Sequence, residues 1–158
     1  MRKLLTSGLA VFAGMVSLPA GVSPKQSRSV PVPSYRQDPR LKTLQKFFHR
    51  AGCPAQKYSD AFLEAADAYD LDWRLLPSIS FVESTGGKAA RNNNLFGWGS
   101  GRVGFASPTE GIHAVGYRLA HSDLYRDKDV DEILATYNPN AEYAEKVKSV
   151  MRRISPSE

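Results

Sequence analysis

The chain has 158 residues, enough for one domain with its own core and no need of disulfides or metal. Hydrophobic residues make up 42% and charged residues 23%, which excludes a disordered or fibrous chain. The net charge of +5 is unevenly placed: Arg2 and Lys3 carry +2, residues 21–40 carry +3, and residues 41–158 sum to zero, so no basic stripe marks nucleic acid as the main partner.

Met1 to Ala20 reads as a secretory leader. Arg2 and Lys3 open it, an uncharged stretch runs from Leu4 to Leu18, and Leu18-Pro19-Ala20 offers a small-residue cleavage site. A retained membrane anchor is the competing reading. The stretch is short for a span and is diluted by Thr6, Ser7, Gly8 and Gly14, so cleavage is favoured. The expected location is the periplasm, cell envelope or exterior. Residues 21–37 are rich in Pro, Ser and basic side chains without apolar period, which predicts a disordered linker able to touch anionic lipid.

From residue 38 to 158 the pattern predicts one mainly helical (α+β) domain. Asp38-Pro39 is a helix start, with Leu41, Leu44, Phe47 and Phe48 on one face and Gly52 as the stop. A second helix carries Tyr58, Phe62, Ala65, Ala66 and Tyr69. Asp72 is expected to open a third, with Leu75, Leu76, Ile79 and Val82 inward, Pro77 in its early part, and Gly86-Gly87 ending it. Residues 92–105 break the period. Leu95, Phe96, Trp98, Val103 and Phe105 alternate with glycines and predict a loop entering a short β-hairpin. Helices resume at Ser107-Pro108-Thr109-Glu110, a capping-box pattern before Ile112, Val115 and Leu119. Asp129 and Glu132 form a second such box before Ile133 and Leu134. The last helix turns Tyr143, Val147, Val150, Met151 and Ile154 inward.

Glu83 is the residue that needs explaining. It ends an almost wholly apolar helix, where both burial and the negative end of the helix dipole oppose its charge. Such a carboxyl keeps its proton towards neutral pH, as a general acid requires. A surface glutamate at a fraying helix end is the plain alternative. Nearby, Asn92, Asn93 and Asn94 offer amides suited to sugar hydroxyls, and Trp98 offers a flat apolar face. Asn clusters are usually turns and a lone Trp is usually core. The three features together within one short stretch favour a site.

The segments Val82-Glu83-Ser84-Thr85-Gly86-Gly87-Lys88 and Asn93-Asn94-Leu95-Phe96-Gly97-Trp98 resemble the bacterial glucosaminidases and the neighbouring lytic transglycosylases. Further matches are Phe105 to Ile112, Tyr137-Asn138-Pro139, and Tyr143 to Val147, so the similarity spans roughly residues 69–151. The resemblance implies a lysozyme-like fold and cleavage of β-1,4 bonds in peptidoglycan glycan strands. It implies Glu83 as catalytic acid and Tyr137 on the opposite wall of a cleft, although core packing beside Leu134 would also explain Tyr137. Ser84, Asn93, Asn94, Phe96 and Trp98 are the expected substrate contacts.

Two-carboxylate glycosidases need a partner for the acid. Residues 88–109 hold no Asp or Glu, Glu110 is better explained by its capping box, and Asp72 by a helix cap. One-carboxylate routes remain: attack by the sugar's own 6-hydroxyl, or assistance by its acetamido oxygen. No cofactor is expected. His49, His113 and His121 have no metal-ligand spacing, so no metal is expected either. Cys53 beside Pro54 reads as a buried filler. The expected state is a monomer. A non-catalytic lysozyme-like module that docks on glycan or a wall protein is the competing function.

Overall fold

A computed structural model describes residues 34–156. The leader and most of the linker therefore lie outside the described residues. Tyr35–Gln37, read above as the end of the linker, form a 3-10 turn. Tyr35 is buried there and its hydroxyl donates to Asp67 Oδ2 at 2.9 Å, so the ordered domain starts ahead of Asp38.

Among the described residues six α-helices follow: α1 (Pro39–Arg50), α2 (Ser59–Ala68), α3 (Leu75–Ser84), α4 (Pro108–His121), α5 (Val130–Tyr137) and α6 (Ala141–Ile154), with a second 3-10 helix at Pro54–Tyr58 between α1 and α2. Their starts are chemically specified. Asp38 accepts from the Arg40 N–H before α1, and Asn140 accepts from the Glu142 N–H before α6. Asp129 and Glu132 complete both arms of a capping box on α5. At α4 the box is skewed: Ser107 Oγ accepts from the Glu110 N–H, but Glu110 Oε2 accepts from the N–H of Ala106, one residue early. Asp72 does not begin α3 directly. Its Oδ1 accepts from the Arg74 N–H, and the helix starts at Leu75, with Pro77 inside the first turn, where no N–H partner is lost.

The core is built round α3. All six residues from Leu75 to Ser80 are buried, because α3 is enclosed rather than lying on a surface. A chain of aromatic contacts links the elements around it: Phe47 to Phe48 at 5.4 Å, Phe48 to Phe62 at 5.8 Å, and Phe62 to Phe96 at 6.4 Å between ring centroids. Each fully buried ring contributes about 1.5–3 kcal/mol over exposure. Small residues bring the helices close. A side chain at Gly116 of α4 would sit 3.0 Å from the Tyr69 ring and 3.2 Å from Leu76. Cys53 is buried with its side chain against Gly86, and burial raises its thiol pKa.

The mainly helical class holds, but the expected β-hairpin does not form. Among the described residues the only strand-type pairing is an isolated antiparallel bridge, Arg91 to Asn94. The reason is Asn94. Its buried side chain donates to the carbonyls of Trp98 and Val103, each at 2.9 Å, and accepts from the N–H groups of Phe96 and Trp98 at 3.2 and 3.0 Å. One amide thus occupies backbone groups that a ladder would have used. Left-handed backbone at Gly97, Gly99, Ser100 and Gly101 also breaks the extended run a strand needs.

Candidate active site

Glu83 stands in the last turn of α3. The helix ends one residue later, where Thr85 takes a left-handed conformation (φ 53°) ahead of Gly86 and Gly87. This stop releases the chain into the 88–107 loop, which folds back over the end of the helix. Ser84 ties the two together. It is buried, its hydroxyl lies 2.8 Å from the Leu95 carbonyl and 3.1 Å from that of Ser80, and it accepts from the Gly87 N–H at 2.9 Å.

The folded-back loop brings Gly97 onto the carboxylate. A Cβ at Gly97 would lie 3.0 Å from Glu83 Oε2, and the backbone there has φ +60°. Glycine is required on both counts. Glu83 opens into a groove of about 320 Å³ lined by Phe96, Gly97, Trp98, Gly99, Ser100, Tyr125, Tyr137 and Asn138. Among the described residues, no other carboxylate lines it.

Two tyrosines, Tyr125 and Tyr137, line the groove, and Tyr143 packs behind Tyr137. Tyr137 donates its hydroxyl to the Phe96 carbonyl at 2.6 Å and meets Trp98 edge-on at 5.6 Å. Tyr143 stacks on Tyr137 at 5.9 Å with rings nearly parallel. Tyr125 lies 6.3 Å from Trp98, and the Arg118 guanidinium sits 5.8 Å over the same indole. Trp98 is therefore held from several sides while staying partly open to the groove.

The electrostatics follow from this crowding. Glu83 has much exposed surface because one side faces the groove, yet its carboxyl is enclosed by protein on the other. Burial raises its pKa above the ordinary carboxylate range, and the Tyr143 hydroxyl pulls weakly the other way. The Tyr143 contact falls short of a hydrogen bond. Its oxygen is buried and has no partner among the described residues. Burial also raises Tyr137 and Tyr143, and the Glu83 charge pushes both further up, so both stay protonated donors.

Glu83, Phe96, Trp98 and Tyr137 thus meet at one groove. Ser84, Asn93 and Asn94 do not line it. Asn94 is buried in the loop network, and the exposed Asn93 donates to the Phe105 and Ala106 carbonyls. Sequence pattern alone does not single out Gly97 or Tyr125, and Tyr143, which packs behind Tyr137, reads as one more inward position of α6. Tyr125 lies in an irregular segment with no period. Among the described residues, no cluster of three or more His, Cys, Asp or Glu side chains could hold a metal ion. Comparison with protein-family models finds no match. Comparison with curated proteins finds no matching relative.

Proposed function

We propose that this protein is a glycosidase of the lysozyme-like type that cuts peptidoglycan glycan strands, with Glu83 as general acid and base. The observation that carries the reading is a lone carboxyl, lifted in pKa by burial, opening into an aromatic groove. The resemblance of residues 82–88, 93–98, 105–112, 137–139 and 143–147 to glucosaminidases and lytic transglycosylases supports the substrate class. Trp98, held by Tyr137 and Tyr125, supplies an apolar face for a sugar ring.

Among the described residues no second carboxylate lines the groove, which favours chemistry in which the substrate supplies the nucleophile. Protonated Glu83 gives its proton to the glycosidic oxygen as the C1–O bond breaks. The ionised Glu83 then takes the proton of the sugar's own 6-hydroxyl as that oxygen bonds to C1, closing an anhydro ring. In the variant route the acetamido oxygen stabilises C1, and Glu83 deprotonates the incoming water. Purified peptidoglycan digested with the protein and analysed by mass spectrometry separates the two. Anhydro ends identify the first route and reducing ends the second. No released fragment from folded protein, across pH, contradicts the proposal.

A further inference from the structure

A second cavity lies away from the Glu83 groove, between α1 and the last turn of α6. It measures about 400 Å³ and is lined by Thr43, Lys46, Phe47, Arg50, Ala51, Arg153 and Ile154. Three of these seven residues are cations and none is an acid. Lys46 and Arg50 stand one helical turn apart on α1, which carries no Asp or Glu from Pro39 to Arg50. Among the described residues, no ion pair involves Lys46, Arg50 or Arg153.

Arg153 is pre-positioned. Its guanidinium sits 5.6 Å over the Phe47 ring and 5.4 Å over the Phe81 ring. The two aromatic faces hold the guanidinium beside the cavity. The ends of α1 and α6 oppose an anion, since each helix C-terminus carries about −0.5 charge. Against three full cations that leaves a balance of about +2, and Lys88 already neutralises part of the α1 end by donating to the Ala51 carbonyl at 2.8 Å. A neighbouring cavity of about 490 Å³, lined by Pro39, Arg40, Thr43, Trp73, Arg74, Ser155 and Pro156, shares Thr43 with the first. The two cavities therefore adjoin along α1, which offers room for more than a single ion.

From this geometry we propose that the α1–α6 cavity binds an organic phosphate, such as one unit of a polyol-phosphate polymer or a phospholipid headgroup. Two guanidinium forks and an ammonium match a tetrahedral oxyanion. A flat membrane contact would not need a concave site with an aromatic-held arginine. The site shares no residue with the Glu83 groove and stands independently of the glycosidase proposal.

The test is NMR titration of the full chain with sn-glycerol 3-phosphate at constant ionic strength. Acetate serves as the carboxylate control. Saturable shifts confined to Lys46, Arg50, Arg153 and their neighbours are expected with the phosphate and not with acetate. The double variant Lys46→Gln/Arg50→Gln, which leaves the Arg153 stack untouched, is expected to weaken binding at least tenfold. Glu83→Gln is expected to bind as wild type. Tighter binding of poly(glycerol phosphate) than of phosphatidylglycerol vesicles assigns the site to a polymer, and the reverse order assigns it to a membrane. Equal shifts with acetate, or unchanged phosphate affinity in the double variant, overturn the proposal.

Discussion

Glu83 concentrates the residue-scale consequences. Its raised pKa means that protonation favours the folded state. That stabilisation is complete below the unfolded value of about 4.3 and is lost as pH rises through the higher folded value. Glu83→Gln is therefore expected to melt higher than wild type at pH 7, with the difference vanishing near pH 4 in thermal melts. Under the proposed function, the same shift sets the expected pH profile of activity. If Glu83 is the proposed general acid, kcat/KM for wall cleavage is expected to fall on the alkaline side at a pH above the ordinary carboxylate range. Gly97 is the other sensitive position. Gly97→Ala forces a Cβ to 3.0 Å from Glu83 Oε2 and strains a left-handed backbone. The expected cost exceeds about 1 kcal/mol of stability, together with a displaced carboxylate and lower kcat, read by denaturant melts and fragment release.

The elements show why some features were legible in the sequence and others were not. Asp38-Pro39 and the Asp129–Glu132 box act over three residues, and α1 and α5 begin where those signals place them. The inward faces of α1, α4 and α6 follow a 3.6-residue period, and Phe48, Val115 and Val147 are fully buried as that period predicts. The 88–107 loop obeys neither rule. Its apolar and glycine residues alternate like a strand, but a single amide, Asn94, decides the fold by binding four backbone groups. Such a role is set by burial and has no sequence period. Asn94→Ala leaves those buried groups unpaired, at about 1–3 kcal/mol for each one that water cannot reach. It is expected to loosen Gly97 and Trp98 and to speed amide exchange across 94–103 while the helices stay protected. Asp129→Ala, at an exposed cap, is expected to cost only about 1 kcal/mol by the same melts. The Glu83 neighbourhood was half legible. Its carboxyl at the end of an apolar helix could be read, whereas Tyr125 and Tyr143 reach it only through tertiary packing of α5, α6 and the segment between α4 and α5.

Across the described residues, a few partly exposed ion pairs tie distant elements together. Asp72 Oδ2 lies 2.6 Å from Arg74, and Arg74 Nη1 donates to the Ser155 carbonyl at 3.1 Å, joining the start of α3 to the end of α6. Burial works to raise the Asp72 pKa, but the hydrogen bonds from Arg74 prevail and the net shift is downward. Arg40 likewise lowers Asp38 and Asp67, tying the chain's entry to α2. These contributions are present above about pH 4 and are lost as pH falls through the lowered folded values. Asp72→Asn is expected to lower Tm at pH 7, with the difference shrinking on acidification. Among the described residues, no helix is long and apolar enough to cross a membrane.

The most direct test of the central claim compares wild type and Glu83→Gln on purified peptidoglycan. Both proteins are pelleted with the wall to measure binding, and the supernatants are assayed for released glycan. Equal binding with release by wild type alone is the predicted result. Undiminished release by a folded Glu83→Gln variant would contradict it and remove Glu83 from the chemistry.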